Sequence, residues 1–395
     1  MPSTDVDESR FTRIDWDAEA GGLARPRWRT IGLLTALAVV AVLFAYDFLV
    51  GPRQLVGALN WDLNRIDWLL LISVVLLGRY VGVPLASDRR HTRRYGRELL
   101  SRPPALASVL VLSGFVVVTL VGPELLDRTW PRLRHASQPP LFRSYYVADQ
   151  WDFNCVGEMV NGYCHGSLQY PLGTTNVGED IALLLARGVR IAVVLGISAA
   201  MIMGIVATAV GTTAGYVGGW VDDVLMSYVD VQQTVPAIVV YIVVATMFLG
   251  NVAGVTQGGL FAVALVFGLF DWGGIARIVR SEVMARRSAG YVRAARSAGA
   301  SDLHVIRRHI IPNSTGTIVT SLTRRIPLLV IAQTILAFLE LHRAGSKSFG
   351  RILRLTFGVN WKSAFVVILL VALTISLSIF GDEVRDVIDP RAEVA

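Results

Sequence analysis

Much of the chemistry that would make this chain an enzyme is missing from it. No G-x-x-x-x-G-K-[S/T] phosphate loop occurs, which excludes nucleotide hydrolysis by that route. Neither G-x-S-x-G nor H-E-x-x-H is present, and the six histidines are scattered. His304 and His309 share one polar segment, where plain surface positions are expected. No internal repeat at solenoid or propeller periods is found, so an array architecture is excluded. The first apolar block follows a polar stretch holding Asp5, Asp7, Glu8, Asp15, Asp17 and Glu19 and has no small-residue cleavage site after it; a removed signal peptide is not expected. The net charge of +7 comes from arginines spread over many short loops, which argues against a nucleic-acid-binding face.

What is abundant is apolar surface. The chain of 395 residues is 53% hydrophobic with a mean hydropathy of +0.53, above the roughly 45–50% of soluble domains. These residues fall into about eight blocks long enough to cross a bilayer: 31–50, 67–86, 105–123, 191–215, 231–250, 259–279, 316–341 and 363–381. An all-α, polytopic membrane protein is expected.

Arginine placement orients it. Arg25, Arg27 and Arg29 precede the first block, and Arg89, Arg90, Arg93, Arg94, Arg97 and Arg102 crowd the second loop, so both face the cytoplasm. Alternation puts 280–315, with Arg286, Arg287, Arg293, Arg296, Arg307 and Arg308, inside together with both termini. Loop 342–362 is the exception. It falls outside yet carries Arg343, Lys347, Arg351, Arg354 and Lys362 without an acid, which marks either a topology error or a basic task. The organisation is then a tail at 1–30, two spans and a basic loop at 31–104, a third span with an exterior segment at 105–190, and a five-helix core at 191–395. The exterior segment is rich in Trp, Tyr and Pro and is expected to cap the membrane mouth or to lie on its surface. It also holds the only cysteines, Cys155 and Cys164. With eight intervening residues they can close a disulfide outside the cell; a metal pair with His165 is the rival and lacks further ligands.

The most informative stretch runs from Tyr291 to Pro312. Ala294, Ala295 and Ala298 favour helix up to Gly299, a left-handed stop, and Ser301 or Asp302 is placed to cap a second short helix ending near Pro312. This order, Tyr291-Val-Arg293-Ala-Ala-Arg-Ser-Ala-Gly299-Ala300-Ser-Asp, resembles the coupling loop of permease subunits in binding-protein-dependent ABC importers, closest to those of dipeptide and oligopeptide systems. Arg293 stands where that family has a glutamate. Pro171-Leu-Gly-Thr-Thr-Asn-Val-Gly-Glu-Asp180, Gly215-Tyr-Val-Gly-Gly-Trp-Val-Asp222 and Gly381-Asp-Glu-Val-Arg-Asp-Val-Ile-Asp-Pro390-Arg391 are similar to further motifs of the family, in the same order. The likeness covers about 105–391 and omits the first two spans; near Phe338-Leu339-Glu340 only Phe349-Gly350 remains of the family's glycine, proline and W-G pattern.

The resemblance implies an ABC type I importer permease fold with two additional N-terminal spans, in the plasma membrane of a prokaryote. It implies as partners a homologous permease subunit, two cytoplasmic ABC ATPase subunits and an extracytoplasmic solute-binding protein, with ATP and Mg held by the ATPases and no cofactor, metal or catalytic residue here. Tyr291, Arg293, Ala294, Ala295, Gly299, Ala300, Ser301, Asp302 and Pro312 would form the ATPase contact. Peptides or a similar small solute would be carried by alternating access. A secondary transporter or channel without an ATPase is the alternative, and would show midplane carboxylates in two halves.

Charged residues inside apolar blocks mark function by default. Arg324 and Arg325 lie about 13 Å into a span beginning at Gly316. They line the pathway, pair with Asp271, or snorkel to the inner surface; Gln333 is a further pathway candidate. Asp47 and Arg79 are expected as a structural pair or interface anchors. Arg343, Lys347, Arg351 and Arg354 are candidate contacts for the binding protein. Asp222, Met226 and Asp230 fall on one helix face, and Pro236 is expected to kink the helix there. A membrane-impermeant thiol reagent applied from outside is expected to label Cys155 and Cys164 only after reduction; labelling without reductant would remove the disulfide.

Overall fold

The computed structural model describes residues 28–50, 65–87, 89–125, 133–147, 154–244, 246–247, 259–341, 347–358 and 360–388. Helices dominate. In chain order they are α1 (Trp28–Val50), α2 (Arg65–Ser87), α3 (Arg89–Ser101), α4 (Pro103–Leu125), α5 (Ile181–Val217), α6 (Gly219–Thr234), α7 (Ala237–Val244), α8 (Gly259–Phe270), α9 (Gly273–Arg287), α10 (Gly290–Ser297), α11 (Asp302–Phe338), α12 (Phe349–Thr356) and α13 (Asn360–Ile388). Among the described residues four helices are long and apolar enough to span a membrane, or up to seven if each of three bent pairs is one span, with a shorter apolar helix at Ile31–Asp47 besides. Where their residues are described, the eight apolar blocks fall largely on a helix or a bent helix pair.

Bends fall where the backbone chemistry demands them. Val235, ahead of Pro236, is extended, and α6 and α7 meet there at 77°. Pro312, by contrast, does not end its helix. The expected stop is replaced by one helix of 37 residues, because a π turn at Ile306–Ile310 precedes the proline and the Ile311 N–H reaches back to the Ile306 carbonyl, so the ladder is re-formed around the missing donor.

α5 is the centre of the bundle. It packs against α9, α8, α11, α4 and α2, and its glycines set how close these come. A Cβ at Gly211 would lie 2.5 Å from the Ala276 carbonyl oxygen, at Gly215 2.7 Å from that of Arg280, at Gly204 2.7 Å from Leu322 and at Gly196 2.8 Å from Ile326. Without a hydrophobic force between helices in lipid, this close packing holds them. One core joins Leu195, Ala199, Met203 and Ala207 of α5 to Phe267 of α8 and to Ile275, Ala276, Val279 and Val283 of α9. A second joins Ile181, Leu185 and Val189 of α5 to Phe115, Val330, Phe349, Ile352, Val366 and Leu373. Gly350 serves the latter: its Cα approaches the Thr334 carbonyl so closely that a Cβ would sit 2.1 Å away, which lets α12 rest on α11.

The two N-terminal spans join the core through α2, where Ile66, Asp67, Trp68 and Ser73 are buried. Arg190 of α5 lies 3.5 Å from Asp67. Asp47 accepts a 3.3 Å hydrogen bond from Trp68 Nε1, while the Arg79 guanidinium lies 5.5 Å from the centroid of Tyr80.

Between α4 and α5 the exterior segment forms an antiparallel sheet of β1 (Ser144–Tyr146), β2 (Met159–Val160) and β3 (Tyr163–His165) in the order β1-β3-β2. Cys155 and Cys164 are joined in a disulfide with Cα atoms 5.7 Å apart. Buried Thr174 fastens this module, donating to the His135 carbonyl at 2.6 Å and accepting from the Gln138 N–H at 2.8 Å. Its own carbonyl accepts from Lys362 Nζ at 2.7 Å. Asp180 caps α5 by accepting from the Ala182 N–H at 2.8 Å. The Pro171–Asp180 motif therefore ties the exterior segment to the head of the central helix.

Gly114 in α4 has open space where a Cβ would go. Gly114→Ala is therefore expected to stabilise the protein by about 0.5–1 kcal/mol, whereas Gly211→Ala is expected to destabilise it by about 1–3 kcal/mol through overpacking. Thermal unfolding midpoints in detergent would move in opposite directions; equal shifts would refute the close α5–α9 approach.

Candidate functional site

The segment from Tyr291 to Pro312 is built as a turn between α10 and the head of α11. Gly299 adopts φ +82°, which favours glycine, and the Gly299 and Ala300 N–H groups bond the Arg296 and Ala295 carbonyls at 2.9 and 3.0 Å. Ser301, not Asp302, is the cap, accepting from the His304 N–H at 3.4 Å. Val292, Val305 and Ile310 are fully buried in the main core. Ala295 and Ala300 pack against that core too, while Tyr291, Arg293, Ala294, Ala298, Gly299 and Leu303 are exposed, as are Ser301 and Asp302. The expected small pair Ala294–Ala295 is thus divided: one faces out, the other in. Pro312 is exposed as well.

Asp302 has a different task. Its Oδ1 accepts a 2.5 Å hydrogen bond from the Tyr216 hydroxyl at the end of α5, and the Arg296 guanidinium lies 4.9 Å from the Tyr216 ring centroid. Arg287 Nη1 donates to the Tyr216 carbonyl at 2.7 Å. Tyr216 comes from the Gly215–Asp222 motif, so two stretches that sequence alone treats separately meet in one joint. Beside it, Arg280 donates through Nε and Nη2 to both oxygens of Asp222 at 2.5 Å, and Arg277 pairs with Asp230. The shared face of the two acids was legible; their arginines were not singled out, although positions 277 and 280 share a face of α9 at helical spacing.

Deeper in, α9 and α11 flank a cleft of about 1080 Å³ that runs from Pro312 and Asn313 past Thr317, Thr320 and Ser321 to Asp271, Arg324 and Arg325. Arg325 Nε donates to Asp271 Oδ2 at 2.9 Å and its Nη2 contacts the other oxygen. Arg324 turns to Asp382 of α13, 3.0 Å away. Of the open alternatives for the two arginines, the Asp271 pair forms for one of them, and both line the cleft. Gln333 does not join them. It is buried and stands apart from the cleft lining.

The basic loop gathers differently from its sequence. Arg351 and Arg354 both meet Glu340, Arg354 at 3.1 Å, an acid just ahead of the loop boundary. Lys347 is half-buried, and burial, with Arg187 adding to it and Glu179 opposing, holds its ammonium below the usual lysine range. Arg343 lies outside the described residues. No cluster of three or more His, Cys, Asp or Glu suited to a metal occurs among the described residues.

Comparison with known proteins agrees with this arrangement. Residues 192–394 match the family model described as binding-protein-dependent transport system inner membrane component. The chain is similar to the dipeptide transport system permease protein of Bacillus subtilis, 26% identical over 309 residues, 76% of this chain and 86% of that one. It is 26% identical to the oligopeptide transport system permease protein of Haemophilus influenzae over 300 residues, 75% and 87% of the two chains. To that of Mycobacterium bovis it is 30% identical over 264 residues, 64% and 84%. The matched region begins inside α5 and takes in the joint, the Gly381–Arg391 motif and all of the cleft lining but Tyr95, and so this chain belongs to the binding-protein-dependent transport system inner membrane components, the multi-pass permease subunits of ABC importers.

Proposed function

We infer that this permease carries peptides, as the names of its relatives state for them, and that it does so paired with a homologous permease. Two cytoplasmic ATPases supply the energy, with ATP and Mg bound there, and an extracytoplasmic solute-binding protein delivers the solute. Both termini lie in the cytoplasm. The observation that carries this reading is the surface from Tyr291 to Leu303: small and exposed outward, yet fastened inward by Val292, Val305, Ile310 and the Tyr216–Asp302 bond. A contact made only of side chains would flex under load. This one is rooted in α5, α9 and α11, so a push on Ala294 and Gly299 reaches the walls of the cleft as rigid-body motion.

Within that cycle the cleft is the pathway's cytoplasmic half, and the Asp271–Arg325 and Arg324–Asp382 pairs are its polar wall. Charged pairs at this depth cost little when each side is neutralised, and they present polar atoms to a hydrated peptide. Arg351 and Arg354 keep part of their surface exposed beside Glu340 and are the basic groups offered to the binding protein. Arg293 in place of an acid calls for an acidic complement on the ATPase.

Gly299→Val puts a β-branched side chain at a left-handed φ and against the docked partner. In proteoliposomes holding the assembled importer, it is expected to reduce solute uptake at least about tenfold, equivalent to about 1.4 kcal/mol, with the protein still inserted. Uptake at the unsubstituted rate would refute the coupling role. Charge exchange between Arg293 and its acidic complement on the ATPase is expected to restore what Arg293→Glu loses.

A further inference from the structure

The arginine-rich helix α3 remains without a task. It follows the two N-terminal spans, before the region that the family model matches. Its axis, taken over Thr92–Ser101, turns 101° from the apolar Pro103–Val118 stretch of α4. A polar helix at nearly a right angle to a span lies along the membrane surface, since the hydrocarbon would not accept it.

Its two faces differ. Tyr95, Leu99 and Arg102 are half-buried, and Arg102 is held by Glu98 at 3.4 Å, Glu383 at 3.1 Å and Asp386 at 3.9 Å. On the other face Arg93, Arg94 and Arg97 are exposed and, with Glu98 and Ser101, line a cleft of about 550 Å³. Its acid, Glu98, is drawn to Arg102, and no carboxylate among the described residues pairs with Arg93 or Arg97. Guanidinium forks converging on one cleft are the chemistry of phosphate recognition. Leu100, one turn beyond Arg97 and half exposed, offers apolar surface beside it for an acyl chain.

We propose that the cleft of Arg93, Arg94 and Arg97 binds the phosphate headgroup of an anionic phospholipid of the cytoplasmic leaflet, and that this seats α3 against the mouth of the translocation cleft. The link to the mouth is Tyr95. On the same helix but the opposite face, it lines the larger cleft beside Pro312, Asn313 and Arg385. An occupied headgroup site therefore adds an anchor on the face opposite Tyr95, beside those that Arg102 and Thr92 already give α3, and steadies the ring at the mouth of the cleft. The binding half of the proposal is independent of the transport reading; the effect on the cycle rests on it.

The test is native mass spectrometry of the full chain in detergent, titrated with phosphatidylglycerol and, separately, with phosphatidylcholine. Phosphatidylglycerol is expected to bind about fivefold more tightly per arginine engaged, on the order of 25-fold for Arg93 and Arg97 together at low ionic strength, with the preference shrinking as salt rises. Arg93→Gln/Arg94→Gln/Arg97→Gln should lose the preference, and Arg307→Gln/Arg308→Gln should keep it. Equal binding of both lipids by the unsubstituted chain, which needs no variant to fold, overturns the site. In nanodiscs carrying the assembled importer, solute-stimulated ATP hydrolysis is expected to rise several-fold with phosphatidylglycerol and to stay flat in the triple variant. Selective lipid binding with a flat rate in both overturns the link through Tyr95 and leaves the headgroup site standing.

Discussion

The glycine face of α5 is the constraint on which the rest depends. In water, helices could be gathered by apolar burial alone; in lipid that force vanishes between them, and association rests on close contact. Gly188, Gly196, Gly204, Gly211 and Gly215 let Phe349, Ile326, Leu322 and the backbone of α9 come within touching distance of one helix. Everything that moves or binds is hung on that contact. The cleft lies between α9 and α11, and both of these are positioned by α5.

Polar connections then turn a packed bundle into a machine with a direction. At the C-terminal end of α5, Tyr216, Asp302, Arg296 and Arg287 knit its last turn to the joint around Gly299. At its N-terminal end Asp180 caps the same helix, and Thr174 and Lys362 tie the disulfide-closed module to α13. The central helix is thus gripped at both ends by hydrogen bonds and along its length by small residues. In the proposed cycle such a helix would move as a unit, because a packed core has discrete arrangements rather than a continuous range.

The ion pairs inside the bundle illustrate how burial is managed. Asp222 with Arg280 and Asp271 with Arg325 each join a largely buried acid near a helix break to an arginine of a neighbouring helix, while Asp230 with Arg277 is an exposed pair. Bare charges at these positions would be costly. Paired, they fix the register of α6 on α9 and of α9 on α11, and so the shape of the cleft.

Much was legible in the sequence because it rests on local chemistry. Apolar runs set the number of membrane-crossing segments expected, Gly299 marked the turn with Ser301 or Asp302 as its cap, Pro236 marked a bend, and the short spacing of Cys155 and Cys164 allowed their bond. The failures share a cause. Pro312 reads as a stop, yet a π turn absorbs it; Ala295 reads as surface, yet the core claims it; Arg351 and Arg354 read as unpaired until Glu340 is brought under them. By itself the sequence determined which segments are helical and which family pattern they follow, since these depend on neighbours along the chain. Only the tertiary structure decided which charge meets which and which face is left free, because those follow from how close the glycines of α5 allow distant helices to come.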